Sequence, residues 1–328
     1  INMYASYLSI SIPVLLAVFA FCKNWFSRIL SGILLIAAGC NILIANSDSV
    51  FLGIFAGVVV VTILAFMQGR LRYSSFAVFL LFVGNLVLGF INKYGHTRYD
   101  KKRGGLAIAL NRLDIAFVLC GAALLVFAVV CVCNWKLGTR VAAWNKKKIV
   151  LIVCGACVAL GVIGIIVLAV TGSSLLTFND KWGSYRGYIW RKIVEVYGDA
   201  PFVNKLFGYG NESVRVTLKA ACYNEMVQVT GKVYDNAHNE LLQYLFTTGI
   251  VGLLSYLALV GSSIVYMFKH AKEHAWISVC LAATVGYFAQ SILNLNQPIT
   301  TPLFFVFMAM GVGTVNYCRR VKELEKRA

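Results

Sequence analysis

Residues 235–249 read DNAHNELLQYLFTTG and join a polar, basic loop to a long apolar segment. The apolar character continues to about residue 268, which exceeds the ~20 residues that a helix needs to cross the hydrocarbon core of a bilayer. His238 lies at this junction and is the one histidine outside the basic hydrophilic loops. We expect the junction to be the functional site of a membrane protein, with the rest of the chain positioning it.

The composition favours a membrane protein throughout. Of 328 residues, 59% are hydrophobic and 13% are charged, whereas soluble domains are roughly 25% charged. Nine apolar segments are predicted to be helices, at about 5–22, 26–45, 49–67, 74–92, 113–134, 149–170, 239–268, 275–294 and 299–317. The predicted fold is an all-α polytopic membrane protein. Because the chain begins with Ile1, we also expect N-terminal residues to be missing.

The charge pattern predicts the orientation. The net charge is +17, which in a soluble protein would suggest a nucleic-acid partner. Here one alternating set of connectors holds sixteen Lys and Arg but three acids, so the positive-inside rule places that set in the cytoplasm. The predicted organisation is six spans in residues 1–170, an extracytoplasmic loop at 171–238, and three spans with a basic tail in 239–328. We expect a lipid bilayer as partner and no nucleic acid.

Two predicted outer loops are unusual. Residues 93–112 carry six Lys and Arg against one acid, which opposes the orientation rule. A polyanionic ligand would explain this charge, and so would anionic lipid headgroups. Residues 171–238 are too long for a simple connector, since structureless loops beyond ~12–15 residues are usually functional or disordered.

The long loop contains a predicted amphipathic helix. Residues 182–197 carry an apolar stripe at helical spacing, and its Trp and Tyr favour a position at the membrane surface. Arg186 and Arg191 could clamp a diphosphate, because the guanidinium fork fits phosphate oxygens. The alternative is a solvated face or contact with lipid phosphate. Arg215 is a further candidate cation that no local pattern distinguishes.

His238 has the properties of a candidate base. Asp235 and Asn236 are good N-cap residues, which would place His238 in the first turn of the following helix. The helix dipole and partial burial would keep the imidazole neutral, so that it could accept a hydroxyl proton. Asn239 could orient His238 or bind substrate. The alternative is a histidine that serves only at the helix start or at an interface.

These motifs together resemble a known family. His238 followed by Gly249 and Gly252 is similar to the HNxxL…GxxG signature of the bacterial O-antigen ligase and polysaccharide polymerase superfamily. Residues 186–190, RGYIW, resemble its RxxxW segment, which is followed by a proline and a GxG as at residues 201–210 here. The two helical glycines favour close helix approach. The similarity is clear over about residues 180–260.

The resemblance implies a glycosyltransferase C-type architecture and an inverting, metal-independent activity without a cofactor. Such proteins transfer oligosaccharide from an undecaprenyl-diphosphate donor to an acceptor sugar hydroxyl outside the bacterial plasma membrane. His238 would match the family's base for the acceptor, and Arg186 its loop arginine on the donor diphosphate. O-antigen, capsule or exopolysaccharide polymerase and ligase both remain open, and the small soluble loops and basic composition slightly favour a polymerase.

One position departs from the family. Its frequent Ser-Arg pair at an outer span end is replaced here by Ser47-Asp48-Ser49, and an aspartate does not attract phosphate. Either Arg98 or Arg103 supplies the missing cation, or Asp48 contacts an acceptor sugar. A transporter or flippase of lipid-linked glycans is the alternative function, although it would predict ionisable or broken segments inside the spans, which are few. A non-catalytic subunit with basic loops is a third.

Overall fold

A computed structural model describes residues 2–44, 49–94, 112–142, 179–294 and 297–327. These residues contain eleven helices and no strand, which confirms the all-α prediction for the part of the chain described. The helices are α1 Asn2–Phe21, α2 Trp25–Ile44, α3 Ser49–Met67, α4 Leu71–Tyr94, α5 Leu113–Ala142, α6 Trp182–Gly198, α7 Phe202–Phe207, α8 Ser213–Thr230, α9 Glu240–His270, α10 Ala275–Ser291 and α11 Thr301–Glu325.

Seven helices are long and apolar enough to cross a membrane, namely α1 to α5, α9 and α11. Helix α10 is apolar but shorter. These eight helices correspond to eight of the nine predicted segments, and the ninth, at 149–170, lies outside the described residues. The chain is a multi-pass membrane protein.

The described chain divides into two compact units, of which the first comprises residues up to 146, 261–290 and from 297 onward. Small residues bring its helices into backbone contact. A Cβ added to Gly39 in α2 would lie 2.1 Å from the carbonyl oxygen of Leu81 in α4. One added to Gly57 in α3 would lie 2.3 Å from the ring of Pro13 in α1. Such close approach provides the van der Waals contact that associates helices in lipid.

The second unit comprises residues 147–260 and 291–296, and α6, α8 and the start of α9 enclose its core. The helix predicted for residues 182–197 is present as α6. Its apolar stripe, however, packs on protein, because Ile189 and Ile193 are fully buried against Leu218 of α8 and Phe246 of α9. The position of this helix at the membrane surface, with its Trp and Tyr at headgroup level, stays a prediction. Helix α8 was not predicted, because apolar residues such as Val216 and Tyr223 also occupy its exposed side and obscure the periodicity.

Helix α9 reverses direction at Gly249, where φ is 67° and ψ is −173°. In a straight helix with a rise of 1.5 Å per residue, Glu240 and Tyr256 would be about 24 Å apart. Instead the Tyr256 hydroxyl donates to the Glu240 carboxylate at 3.1 Å, and the rings of Tyr244 and Tyr256 stack at 4.2 Å. We name residues 240–248 the first arm and 250–270 the second arm. The second arm, about 31 Å long, can cross the bilayer alone.

The glycines of the GxG segment explain how the reversal is stabilised. Where the first arm ends, the carbonyls of Phe246 and Thr247 accept hydrogen bonds from the N–H groups of Tyr209 and Gly210, at 2.9 and 3.0 Å. A Cβ on Gly208 would lie 2.3 Å from the Thr247 backbone, and one on Gly249 would lie 2.2 Å from the Leu206 carbonyl oxygen. Gly249 thus serves a backbone reversal, not the helix packing expected from the sequence.

Candidate active site

His238 precedes the first arm and is held in a left-handed backbone conformation, with φ of 49°. The helix begins at Glu240, and the side-chain oxygen of Asn239 accepts the Leu242 N–H at 3.0 Å, as an N-cap does. The predicted caps at Asp235 and Asn236 are therefore wrong, and His238 lies outside the first turn. A left-handed conformation costs roughly 1–2 kcal/mol in a residue with a Cβ, so surrounding contacts must stabilise it.

Those contacts hold the two peptide groups that precede His238. The Ala237 N–H donates to the side-chain oxygen of Gln243 at 2.9 Å, and the Ala237 carbonyl accepts the indole N–H of Trp190 at 2.8 Å. The His238 N–H donates to the side chain of Asn236 at 3.1 Å. We call the bonds of Trp190 and Gln243 to Ala237 the Ala237 clamp. They fix the direction in which the imidazole leaves the chain.

A second tie joins the histidine loop to the segment that precedes Arg186. The Tyr234 hydroxyl donates to the Ser184 carbonyl at 2.9 Å. Ser184 belongs to a left-handed run over residues 183–185, with φ of 57°, 61° and 70°. Among the described residues, the non-glycine positions with positive φ are Ser184, Tyr185, Glu212 and His238, all in the second unit. Backbone strain of this kind clusters at functional sites, and here it flanks both Arg186 and His238.

The imidazole of His238 is neutral at pH 7. Burial, together with the smaller effects of the nearby charges of Arg186 and Lys232, lowers its pKa to about 4, against an opposing effect of Asp235. Neutrality was expected, but its main cause is desolvation, not the helix dipole. Nδ1 is buried and has no hydrogen-bond partner within the described part of the chain. No carboxylate there orients the ring through that nitrogen, so its backbone anchors do so.

Arg186 and Arg191 lie on the same helix but in different surroundings. Arg186 is partly exposed and close enough to disfavour imidazolium at His238. Arg191 donates to both oxygens of Asp180, at 3.1 and 2.8 Å, and to Glu195 at 2.8 Å. These carboxylates raise its pKa further above its usual value. The charge of Arg191 is already matched by carboxylates, whereas the charge of Arg186 acts on His238, so Arg186 is our candidate for an external anion near the base.

The other predicted site residues are dispersed. Asn239 is 8% exposed and its amide oxygen is used by the helix cap. Arg215 is exposed on α8, and the described residues provide no hydrogen bond or ion pair for it. Arg98, Arg103 and the Ser47–Asp48 pair lie outside the described residues. Within the described ranges, no group of three or more His, Cys, Asp or Glu side chains could hold a metal.

Sequence reasoning missed Lys232 and Gln243. Lys232 is exposed and its ammonium lies 4.6 Å from the ring centroid of Tyr234. The rings of Tyr234 and His238 are nearly perpendicular, with 5.7 Å between their centroids. Nothing in the local pattern distinguishes this lysine from other loop lysines. Gln243 lies on the first arm like any polar helix residue, and its role follows from the path of the chain back to Ala237.

A comparison with known families finds a match in this part of the chain. Residues 103–257 match the family model described as O-antigen ligase. Residues 103–257 therefore belong to the O-antigen ligase and polymerase superfamily. The matched range includes Arg186, the GxG segment, His238 and Gly249, so the ties described above lie within the part of the chain that carries the family likeness. No individual curated protein matches the chain significantly.

Proposed function

We propose that this O-antigen ligase family member is an inverting glycosyltransferase that acts outside the bacterial plasma membrane. It would transfer oligosaccharide from an undecaprenyl-diphosphate donor to an acceptor sugar hydroxyl. The observation that carries the proposal is the pairing of a neutral, strained His238 with Arg186 in one unit. Tyr234 and Trp190 connect the two segments by hydrogen bonds to backbone carbonyls.

In the proposed reaction the acceptor hydroxyl oxygen attacks the anomeric carbon of the donor sugar. The bond from that carbon to the diphosphate oxygen breaks, and its electron pair leaves with the diphosphate. The hydroxyl proton passes to His238, which is uncharged beforehand and can therefore accept it. Attack opposite to the leaving group inverts the configuration at the anomeric carbon.

The positive charge near His238 has two effects in this scheme. Arg186 and Lys232 disfavour imidazolium in the empty site, which keeps the base free of a proton. A bound diphosphate would neutralise these cations and make protonation of His238 easier. The base would therefore strengthen when the donor arrives, while Arg186 stabilises the negative charge that develops on the leaving group.

The decisive experiment incubates the purified protein with a lipid-diphosphate oligosaccharide and an acceptor glycan, and measures the size of the products. We expect glycan extension by the wild type and a loss of at least about 10²-fold for His238→Ala, which is typical of a lost general base. His274→Ala is the matched control, because His274 is exposed in the first unit. Equal activity of both variants would refute the role of His238 as base.

Arg186 is tested against a second arginine of the same unit. Arg186→Gln should raise KM for the donor, because the diphosphate contact is made in the ground state, and lower kcat, because the contact strengthens as negative charge develops on the leaving group. Arg215→Gln removes the same charge from the exposed side of α8 and should have a smaller effect. If Arg215→Gln is the more damaging variant, the donor cation has been misassigned. Lipid movement across vesicles without glycan transfer would instead favour a flippase.

A further inference from the structure

Three arginines of the first unit converge on one tyrosine. The guanidinium carbons of Arg28, Arg72 and Arg70 lie 4.2, 4.8 and 6.0 Å from the ring centroid of Tyr73. Arg28 belongs to α2, whereas the other three residues belong to the turn between α3 and α4 and the start of α4. In the sequence, Arg28 lies in one basic connector and Arg70 and Arg72 in another, and both connectors served only to predict the orientation in the membrane. The convergence of the three arginines is therefore a feature of the tertiary structure.

This cluster has no negative partner in the part of the chain described. Arg72 donates a hydrogen bond to the Tyr73 hydroxyl at 3.1 Å, and the arginines of the cluster form no ion pair with a carboxylate of the described residues. The Nε atom of Arg28 is buried without a hydrogen-bond partner there. Cations held close together repel one another, and a buried donor without an acceptor is costly. An anion among the three guanidinium groups would remove both penalties.

The surroundings indicate where that anion comes from. The cluster lies at one end of the first unit, where α1 ends at Phe21, α2 begins, α3 ends and α4 begins. The first turns of α2 present large apolar side chains to the outside, since Trp25 is 71%, Phe26 58% and Ile29 54% exposed. Trp residues are enriched at the level of lipid headgroups. A ligand with an apolar tail and an anionic head fits this environment better than a soluble anion does.

We propose that Arg28, Arg70, Arg72 and Tyr73 form a binding site for the phosphate group of an anionic phospholipid. The guanidinium groups bind the phosphate oxygens by charge-assisted hydrogen bonds, for which their planar fork is suited. The acyl chains lie along the exposed apolar start of α2. The inference does not depend on the proposed glycosyltransferase activity, because none of these residues belongs to the unit of His238 and Arg186.

The test is native mass spectrometry of the purified protein in detergent, titrated separately with phosphatidylglycerol, phosphatidylcholine and inorganic phosphate. We expect retention of phosphatidylglycerol by the wild type, and an apparent affinity at least about tenfold weaker for the triple variant Arg28→Gln, Arg70→Gln, Arg72→Gln. The matched control is Lys269→Gln, Lys272→Gln, Arg320→Gln, which removes three exposed cations elsewhere in the same unit. Its affinity should stay within about twofold of the wild type.

Three results would overturn the proposal. Equal loss in both triple variants would show a general effect of net charge. Equal retention of phosphatidylcholine would show that the anionic head is not selected, and displacement of the lipid by equimolar inorganic phosphate would identify a soluble anion as the ligand. The single variant Arg72→Gln is the control for misfolding, because Arg72 is exposed and its substitution should leave the fold intact. With an unchanged melting temperature it should still weaken phosphatidylglycerol binding severalfold.

Discussion

His238 combines an uncharged ring with a strained backbone, and the two features have different causes. The ring is neutral because it is desolvated and lies near two cations. The backbone is strained because the residue is positioned between the Ala237 clamp on one side and the helix cap of Asn239 on the other. The uncharged ring determines the pH range in which His238 can accept a proton. The fixed backbone determines the direction in which the ring faces the substrate. Each leads to a separate prediction.

The first residue-scale prediction concerns pH. Because the pKa of His238 is lowered to about 4, kcat/KM for transfer should stay constant as pH falls from 8 to 6 and should decline only toward pH 4. Lys232→Gln removes a positive charge that disfavours imidazolium, so the pKa of His238 should rise. The fall of kcat/KM at low pH, here called the acid limb, should then occur about half a pH unit higher. A pH–rate profile of the purified protein measures both.

Lys219→Gln provides the control for this shift, since it removes a lysine from exposed α8 in the same unit. Its acid limb should coincide with that of the wild type. An acid limb near pH 6.5 in the wild type, or no displacement in Lys232→Gln, would contradict the electrostatic account of His238.

The second prediction concerns the Ala237 clamp. Trp190→Phe keeps an aromatic ring but removes the N–H that donates to the Ala237 carbonyl at 2.8 Å. We expect kcat to fall about fivefold to tenfold with KM nearly unchanged, because one hydrogen bond contributes roughly 0.5–1.5 kcal/mol and this one orients the base. Steady-state kinetics measure the change.

Trp25→Phe is the control, because Trp25 is 71% exposed at the start of α2 in the other unit. An unchanged kcat for Trp190→Phe would mean that the indole bond does not orient His238. A raised KM with unchanged kcat would assign Trp190 to substrate binding instead.

At the residue scale the sequence identified the principal candidates but not their partners. His238 and Arg186 were recognisable because each stands in a short motif with fixed spacing. The pairing of Arg191 with Asp180 joins positions eleven residues apart, and the bond of Trp190 to Ala237 joins positions 47 apart. Such contacts depend on the path of the chain between them, which local spacing does not specify.

At the scale of elements, the reversal of α9 is the feature that shapes the site. Hydropathy predicted one continuous span from residue 239, because both arms are apolar. Gly249 reverses the chain so that the first arm runs back beside the second, and Tyr256 hydrogen-bonds Glu240 across the turn. The first arm is thereby available to pack against α6 and α8 through Phe246, and His238 is positioned by a helix anchored at both ends.

The prediction at this scale is that Gly249→Ala destabilises the second unit. The substitution adds strain at a φ of 67° and places a Cβ 2.2 Å from the Leu206 carbonyl oxygen. We expect a loss of about 2–4 kcal/mol in the free energy of unfolding, from backbone strain and overpacking together. A thermal melt of the purified protein in detergent would reveal it as a lower Tm.

Gly261→Ala is the matched control within the same helix. A Cβ at Gly261 meets nothing within 4 Å, and alanine in a helix interior is favoured over glycine by about 1 kcal/mol. This variant should melt at the wild-type temperature or slightly above it. If Gly249→Ala is equally stable, the reversal does not require a glycine.

At the scale of the whole molecule, the orientation in the membrane follows from charge. We propose that the basic connectors lie in the cytoplasm and that α6, α8 and His238 lie outside, because Lys and Arg accumulate on the cytoplasmic side. This orientation predicts that Val194→Cys, 56% exposed on α6, reacts with a membrane-impermeant maleimide in intact spheroplasts. Lys272→Cys, exposed in the connector after α9, should react only after permeabilisation.

Both substitutions are made in a protein from which the ten native cysteines have been removed. The cysteine-free protein itself is the negative control for labelling. Labelling of Lys272→Cys, and not of Val194→Cys, in intact spheroplasts would invert the proposed topology. It would also place His238 and Arg186 on the cytoplasmic side, away from an extracytoplasmic donor.

The sequence by itself determined that the chain is helical, crosses the membrane repeatedly and carries a histidine motif of the O-antigen ligase family. These properties are local, because the length of an apolar run and the spacing of a motif are complete within a few tens of residues. The tertiary structure alone decided the reversal at Gly249, the Ala237 clamp, the neutralisation of Arg191 and the convergence of three arginines on Tyr73. Each of these depends on which distant segments meet, and therefore on packing, desolvation and charge in three dimensions.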